Sequence, residues 1–246
     1  MEHEIVIKEL DSFLQNAAKK YEFSYEIINL RCFMREVFGK DKSVWGVFSE
    51  RERTIINKYE NPKKRIQWMA GRYAGKMAIK KLMAKADNTD LANIDATKIS
   101  IINGLNSAPF IEGYPKLNIS ISHSYPYCLT LISKHRIGVD IENTISIVEP
   151  MLNLYYTKNE INQINKLRKL NKNYNKSEAD FLATLYWTRK EAISKLQKEG
   201  MNMDFSKIDT VQEVTTLQGL SIEKVRTVSI QNEHCSLSLA FEERLI

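Results

Sequence analysis

The stretch from Leu117 to Ile141 constrains this chain most. Leu117, Ile119 and Ile121 alternate with Asn118, Ser120 and Ser122, the two-residue period of a half-buried strand. Tyr125-Pro126 then reads as a turn, and Cys128 to Ser133 as an apolar, β-branched strand. His135-Arg136 is a second turn and Ile137 to Ile141 a further strand. Links this short require antiparallel neighbours, so a β-meander is expected here.

Helices are expected on both sides of it. From Lys64 to Lys85, residues Ile66, Met69, Ala70, Tyr73 and Met77 recur at three- and four-residue spacing, with Arg65, Arg72 and Lys76 on another face. Gly71 and Gly75 each weaken such a helix by about 1 kcal/mol relative to Ala, which points to close packing or close ligand approach. Ser49, with Glu52 three positions on, reads as the capping box of a shorter helix. Beyond Pro150, helices are expected over Thr157 to Leu170 and Glu178 to Lys198, with Lys172 to Lys176 as a polar loop between them. Lys224 to Ile230 and Ser236 to Phe241 read as strands of a second sheet. Helix-then-strands thus occurs in both halves, with no repeat legible at residue level.

The 246 residues, 43% hydrophobic and 27% charged, describe an ordered chain of one large domain or two packed subdomains. A net charge of +6 favours anionic partners (phosphorylated metabolites, nucleic acid or an acidic protein surface), or is an ordinary solubilising surplus. Cys32, Cys128 and Cys235 are far apart, form no CxxC pair and read as buried thiols. Met1-Glu2-His3-Glu4 is acidic where a signal peptide would be basic, and no apolar run is long enough to span a membrane, so a reducing cytoplasm is the expected compartment.

Three short segments carry the chemistry. In Gly138-Val139-Asp140-Ile141-Glu142 the strand period puts both carboxylates on one face, as solvated acids or as oxygen ligands for a hard cation such as Mg2+. In Trp187-Thr188-Arg189-Lys190-Glu191-Ala192-Ile193-Ser194-Lys195, the helical period brings Trp187, Glu191, Ser194 and Lys195 together, either as a routine Glu-to-Lys surface pair or as part of a site. Ser122-His123-Ser124 ends a strand where a ring nitrogen and two hydroxyls can meet an anion, or serves only structure.

In this order the three segments resemble the signature blocks of the surfactin-type 4'-phosphopantetheinyl transferases, and Tyr156-Thr157-Lys158-Asn159-Glu160 is similar to the aromatic-polar-Glu element that the family carries between its last two blocks. The resemblance runs from about Ser49 to the C-terminus. It implies an α+β fold: a pseudo-dimer of two similar subdomains, each an antiparallel sheet packed with a long helix, with the active site at their interface. The subdomains are expected at residues 1–136, including an N-terminal extension of about 48 residues and the coenzyme A contacts, and at 137–246, with the metal and catalytic residues. The implied activity moves the phosphopantetheine arm of coenzyme A to a serine of an apo acyl or peptidyl carrier protein, an acidic partner, and releases adenosine 3',5'-bisphosphate. By resemblance Asp140, Glu142 and Glu191 hold Mg2+, Glu191 is the general base and Lys195 assists the leaving phosphate. Ser122 and His123 match the family's coenzyme A phosphate contacts. Arg65 and Arg72 are further candidates, with Arg51 or Arg53 in place of the family's early basic residues. A monomer acting on neither nucleic acid nor membrane is expected.

The sequence departs from the family at Asn106-Ser107-Ala108-Pro109, where the pattern is Gly-Lys-Pro with its lysine on coenzyme A. Either the grip there is weaker, or another basic residue such as Lys116 takes over.

Overall fold

A computed structural model describes residues 2–85, 95–170 and 178–243, and the expected loop at Lys172 to Lys176 lies outside them. The chain divides into two compact units, Met1–Ile137 and Gly138–Ile246.

The first unit begins with α1 (Glu2–Tyr21), β1 (Phe23–Asn29), α2 (Leu30–Phe38) and α3 (Lys42–Trp45). The first 48 residues therefore supply a full strand and its flanking helices. Then come α4 (Glu50–Asn57), α5 (Pro62–Lys85), β2 (Ile101–Asn103), β3 (Pro109–Ile111), β4 (Asn118–Ser124) and β5 (Tyr127–Ser133). Ser49 caps α4 in a complete capping box with Glu52. β4 and β5 form the expected antiparallel hairpin, with Ile121 opposite Thr130.

The meander stops there. The other edge of β5 is taken by β1, antiparallel, with Glu26 opposite Thr130. The sheet order is β1-β5-β4, and β6 (Ile137–Asn143) belongs to the sheet of the second unit. β5 is buried along its whole length beneath α5. The tight contact expected at the helix glycines is real: a Cβ on Gly75 would lie 2.6 Å from Ile101 Cδ1. Arg65, Arg72 and Lys76 do not form one exposed basic face, since Arg72 is 6% and Lys76 0% exposed. Cys128 and Cys235 are buried as expected, but Cys32 is exposed.

In the second unit α6 (Glu149–Tyr155), α7 (Lys158–Leu170) and α8 (Glu178–Gln197) precede β7 (Val214–Thr216), β8 (Lys224–Gln231) and β9 (Cys235–Glu242). The sheet order is β6-β9-β8-β7, and α8 packs on β9. In each unit, then, the leading strand lies beside the last and the long helix covers the last.

A residue-level repeat underlies this likeness. Phe48-Ser49-x-x-Glu52 and Lys76-x-Ala78-Ile79-x-Lys81-Leu82 in the first unit correspond to Tyr156-Thr157-x-x-Glu160 and Lys190-x-Ala192-Ile193-x-Lys195-Leu196 in the second. Glu52 accepts the Ser49 N–H at 2.8 Å and the Ile101 N–H at 2.9 Å; Glu160 accepts the Thr157 N–H at 2.8 Å and the Thr210 N–H at 2.9 Å. Lys76 donates to Glu52 and to Ala96 O, and Lys190 to Glu160 and to Phe205 O. All four side chains are fully buried. A buried charge survives only when paired and hydrogen-bonded, so each lysine–glutamate pair ties its capping-box turn to the long helix.

Candidate active site

β6 and α8 place the catalytic candidates. The two elements meet closely at Gly138, where a Cβ would fall 1.9 Å from Ala192 O, so no side chain fits between strand and helix. Two residues along the same face of β6, Asp140 is 3% exposed. Its Oδ1 accepts a hydrogen bond from Lys195 Nζ at 2.7 Å, on the helical turn after Ala192. The strand carboxylate, rather than Glu191 one turn back, is therefore the ion-pair partner of Lys195. Burial raises Glu191 above the usual carboxylate range, the negative charge of Asp140 raises it further, and Lys195 opposes both. Asp140, Glu191 and Lys195 thus share one electrostatic environment. Trp187 stays at the edge of the core, packed edge-on against Tyr155 at 5.3 Å and Phe205 at 5.6 Å.

Glu142 is half-buried on β6. Among the described residues no three or more His, Cys, Asp or Glu form a group that could hold a metal ion, so Asp140, Glu142 and Glu191 do not stand as a ready three-carboxylate cage. The positive charge beside Asp140 comes instead from the Lys195 ammonium. Mg2+ usually takes only one or two protein carboxylates, with waters and substrate phosphates completing its shell. Asp140 and Glu191, two coupled oxygen donors, fit that requirement.

The first unit holds the same lysine–carboxylate pair without the extra acids. Lys81 Nζ lies 2.6 Å from Glu26 on β1, and Lys195 Nζ lies 2.7 Å from Asp140, while Ile28 and Met77 stand where the repeat puts Glu142 and Glu191.

The candidate cofactor residues of the first unit are dispersed. His123 and Arg72 line a cavity of about 380 Å³ together with Lys64, Tyr59, Trp68 and Ser107. Ser122, its neighbour on β4, is buried. The Arg72 guanidinium stacks on Trp68 at 4.2 Å, donates to Asn103 Oδ1, and is pulled down to about 10 by burial. Arg65 lies over Trp45 at 5.8 Å and lines a second, more apolar cavity of about 270 Å³. Arg51 is paired with Glu112 at the surface, while Arg53 donates to Phe48 O and Trp45 O at 3.0 Å. The structure thus joins Arg72 with His123 and leaves Arg65 and Arg51 in other surroundings. Lys64 was not singled out from sequence, because a lysine in the first turn of a helix carries no signal of what it faces. Lys190 and Glu160 were likewise passed over as individual residues.

No helix among the described residues is long and apolar enough to cross a membrane. Residues 136–239 match the family model described as the 4'-phosphopantetheinyl transferase superfamily. The chain is 28% identical over 117 residues to a holo-[acyl-carrier-protein] synthase of Geobacillus sp. (strain WCH70), an alignment covering 46% of this chain and 94% of the relative. It is 28% identical over 100 residues to a holo-[acyl-carrier-protein] synthase of Onion yellows phytoplasma (strain OY-M), covering 38% of this chain and 79% of the relative. A crystal structure of a holo-(acyl-carrier-protein) synthase from Bacillus anthracis str. Ames in complex with CoA (3',5'-ADP) matches at 21% identity and a TM-score of 0.37, covering 45% of this chain and 91% of that chain. Residues 136–239, which contain Asp140, Glu142, Glu191 and Lys195, are thus the part of the chain that is similar to the 4'-phosphopantetheinyl transferase superfamily.

Proposed function

We propose that the chain transfers the 4'-phosphopantetheine arm of coenzyme A to a serine of an apo carrier protein, with Asp140, Glu191 and Lys195 as its working groups. The observation that carries this reading is the half-buried Asp140–Lys195 pair beside a Glu191 of raised proton affinity, within the segment that matches the superfamily.

Asp140 and Glu191 would hold Mg2+, with Glu142 reaching it directly or through water; when bound, the ion neutralises the coenzyme A diphosphate. The serine hydroxyl attacks the pantetheine-side phosphorus. The new P–O bond forms as the bond to the adenosine-bearing phosphate breaks, and adenosine 3',5'-bisphosphate departs. Glu191 accepts the serine proton, and burial together with the Asp140 charge raises its proton affinity in the metal-free chain. Lys195, held by Asp140, offers its ammonium to the charge that grows on the leaving phosphate. Ser122 and His123 serve the cofactor from β4. The net charge of +6 suits an acidic carrier through long-range steering.

The surfactin-type assignment is supported by the internal repeat. This chain carries two units of like topology, whereas less than half of it spans nearly all of the Geobacillus relative. The test is substitution of the two acids. Asp140→Ala and Glu191→Ala should each lose transfer while keeping the far-UV circular dichroism of the parent. Full activity in either variant would remove that residue from the machinery.

A further inference from the structure

The second cavity of the first unit, of about 270 Å³, takes no part in the proposed chemistry. It opens between the end of α2, the single turn of α3 and the link from α4 to α5. Trp45 and Tyr59 give it an aromatic wall, Ile66 adds a buried aliphatic surface, and Phe38 extends the apolar lining outward, 66% exposed. Its walls are anchored. The Trp45 indole Nε1–H donates to Val37 O at 3.1 Å, and Asn61 fixes the first turn of α5, its Oδ1 accepting the Lys64 N–H at 3.1 Å and its O the Arg65 N–H at 3.0 Å.

Arg65 brings charge to this apolar surface. Its guanidinium lies over the Trp45 ring at 5.8 Å, and its Nε is buried with no hydrogen-bond partner among the described residues. A charged donor held out of water without an acceptor is costly, so an acceptor placed in the cavity gains by meeting it. A guanidinium over an aromatic face keeps its edge open, and Nε–H with one terminal N–H forms the fork that a planar carboxylate accepts. Lys40 and Glu60, both exposed, line the same cavity with opposite charges, which leaves Arg65 to decide its sign. The volume lies below the roughly 300–1,000 Å³ of drug-sized ligand sites, which limits the occupant to a single ring with a short arm.

We infer that this cavity is a binding site for a small aromatic carboxylate, with the Arg65 guanidinium on the carboxylate and Trp45, Tyr59 and Phe38 around the ring. The site is separate from the transfer chemistry. It stands on Arg65 and its aromatic neighbours, whether or not the chain acts on coenzyme A.

The test is calorimetric titration of the full chain with phenylacetate and with its uncharged analogue phenylacetamide. One charge-assisted contact to a carboxylate corresponds to about a ten-fold difference in affinity. The parent should prefer the acid by at least about that factor, a comparison that needs no variant. Arg65→Gln should lose the preference while binding the amide as before, and Phe38→Ser, at an exposed position, should weaken both ligands and keep the preference. Saturating coenzyme A should leave the affinity for phenylacetate unchanged. A parent that binds neither ligand or both equally overturns the inference. So does an Arg65→Gln variant that keeps the preference or weakens both ligands equally, a Phe38→Ser variant that binds like the parent, or displacement of phenylacetate by coenzyme A.

Discussion

Lys195 Nζ donates to Asp140 Oδ1 at 2.7 Å, joining the long helix of the second unit to its leading strand. The pair gives the lysine a fixed position instead of a mobile surface one. Lys195→Ala should lower kcat by about 100-fold, the scale of losing one group aimed at developing charge, while KM for coenzyme A stays within about three-fold. The reverse split, in steady-state kinetics with a carrier protein, would make Lys195 a binding residue.

Glu191 carries a pH signature. Burial and the Asp140 charge raise its proton affinity in the folded chain above that in the unfolded one. The stability it contributes is then full below the unfolded value and is lost as pH rises through the folded one. Glu191→Gln never ionises. In metal-free buffer the melting temperature of Glu191→Gln should therefore gain on the parent as pH rises from below the ordinary glutamate range toward neutrality. A gap that narrows over that range would contradict the assignment.

Gly138 is a steric prediction. With Ala192 O only 1.9 Å from the place of a Cβ, Gly138→Ala must push β6 from α8 and carry Asp140 away from Lys195. Transfer should fall by at least about ten-fold with a loss of about 1–3 kcal/mol in denaturant unfolding, the usual scale of overpacking. Unchanged kinetics would mean that the strand–helix contact does not position the site.

The buried pairs should behave as units. Lys190→Met or Glu160→Gln alone leaves an uncompensated charge or a broken network and should cost about 3–5 kcal/mol, whereas Lys190→Met with Glu160→Leu should cost less than the sum. Denaturant titration of the four proteins measures the coupling. Additive losses would show that the pair is not linked, and the same cycle on Lys76 and Glu52 tests its counterpart in the first unit.

These relationships mark where sequence reading stops. The long helices, the Ser49 cap and the β4–β5 hairpin follow from local periodicity and were legible, as was the placement of Asp140 on a strand and of Glu191 and Lys195 on a helix. The destination of β6 was not, because strand pairing is a competition: β1 (Phe23–Asn29), far away in sequence, takes the edge of β5. Nor was the burial of Lys76 and Lys190, since helical phase places a lysine on a face without revealing a glutamate from a distant turn that meets it there. The repeat escaped notice for a related reason: its matching residues are few, and the stretches between them differ in length. The Glu191-to-Lys195 spacing suggested a pair within one helix, while packing turned Lys195 to Asp140 on another element.

The central claim is tested most directly by the intact mass of an apo acyl carrier protein after incubation with the chain, coenzyme A and Mg2+. The account predicts a mass increase equal to one phosphopantetheine group on the carrier serine, present with the parent and absent with Asp140→Ala. Carriers that keep their apo mass in the presence of a folded parent chain, or a modification that proceeds equally with Asp140→Ala, would contradict it.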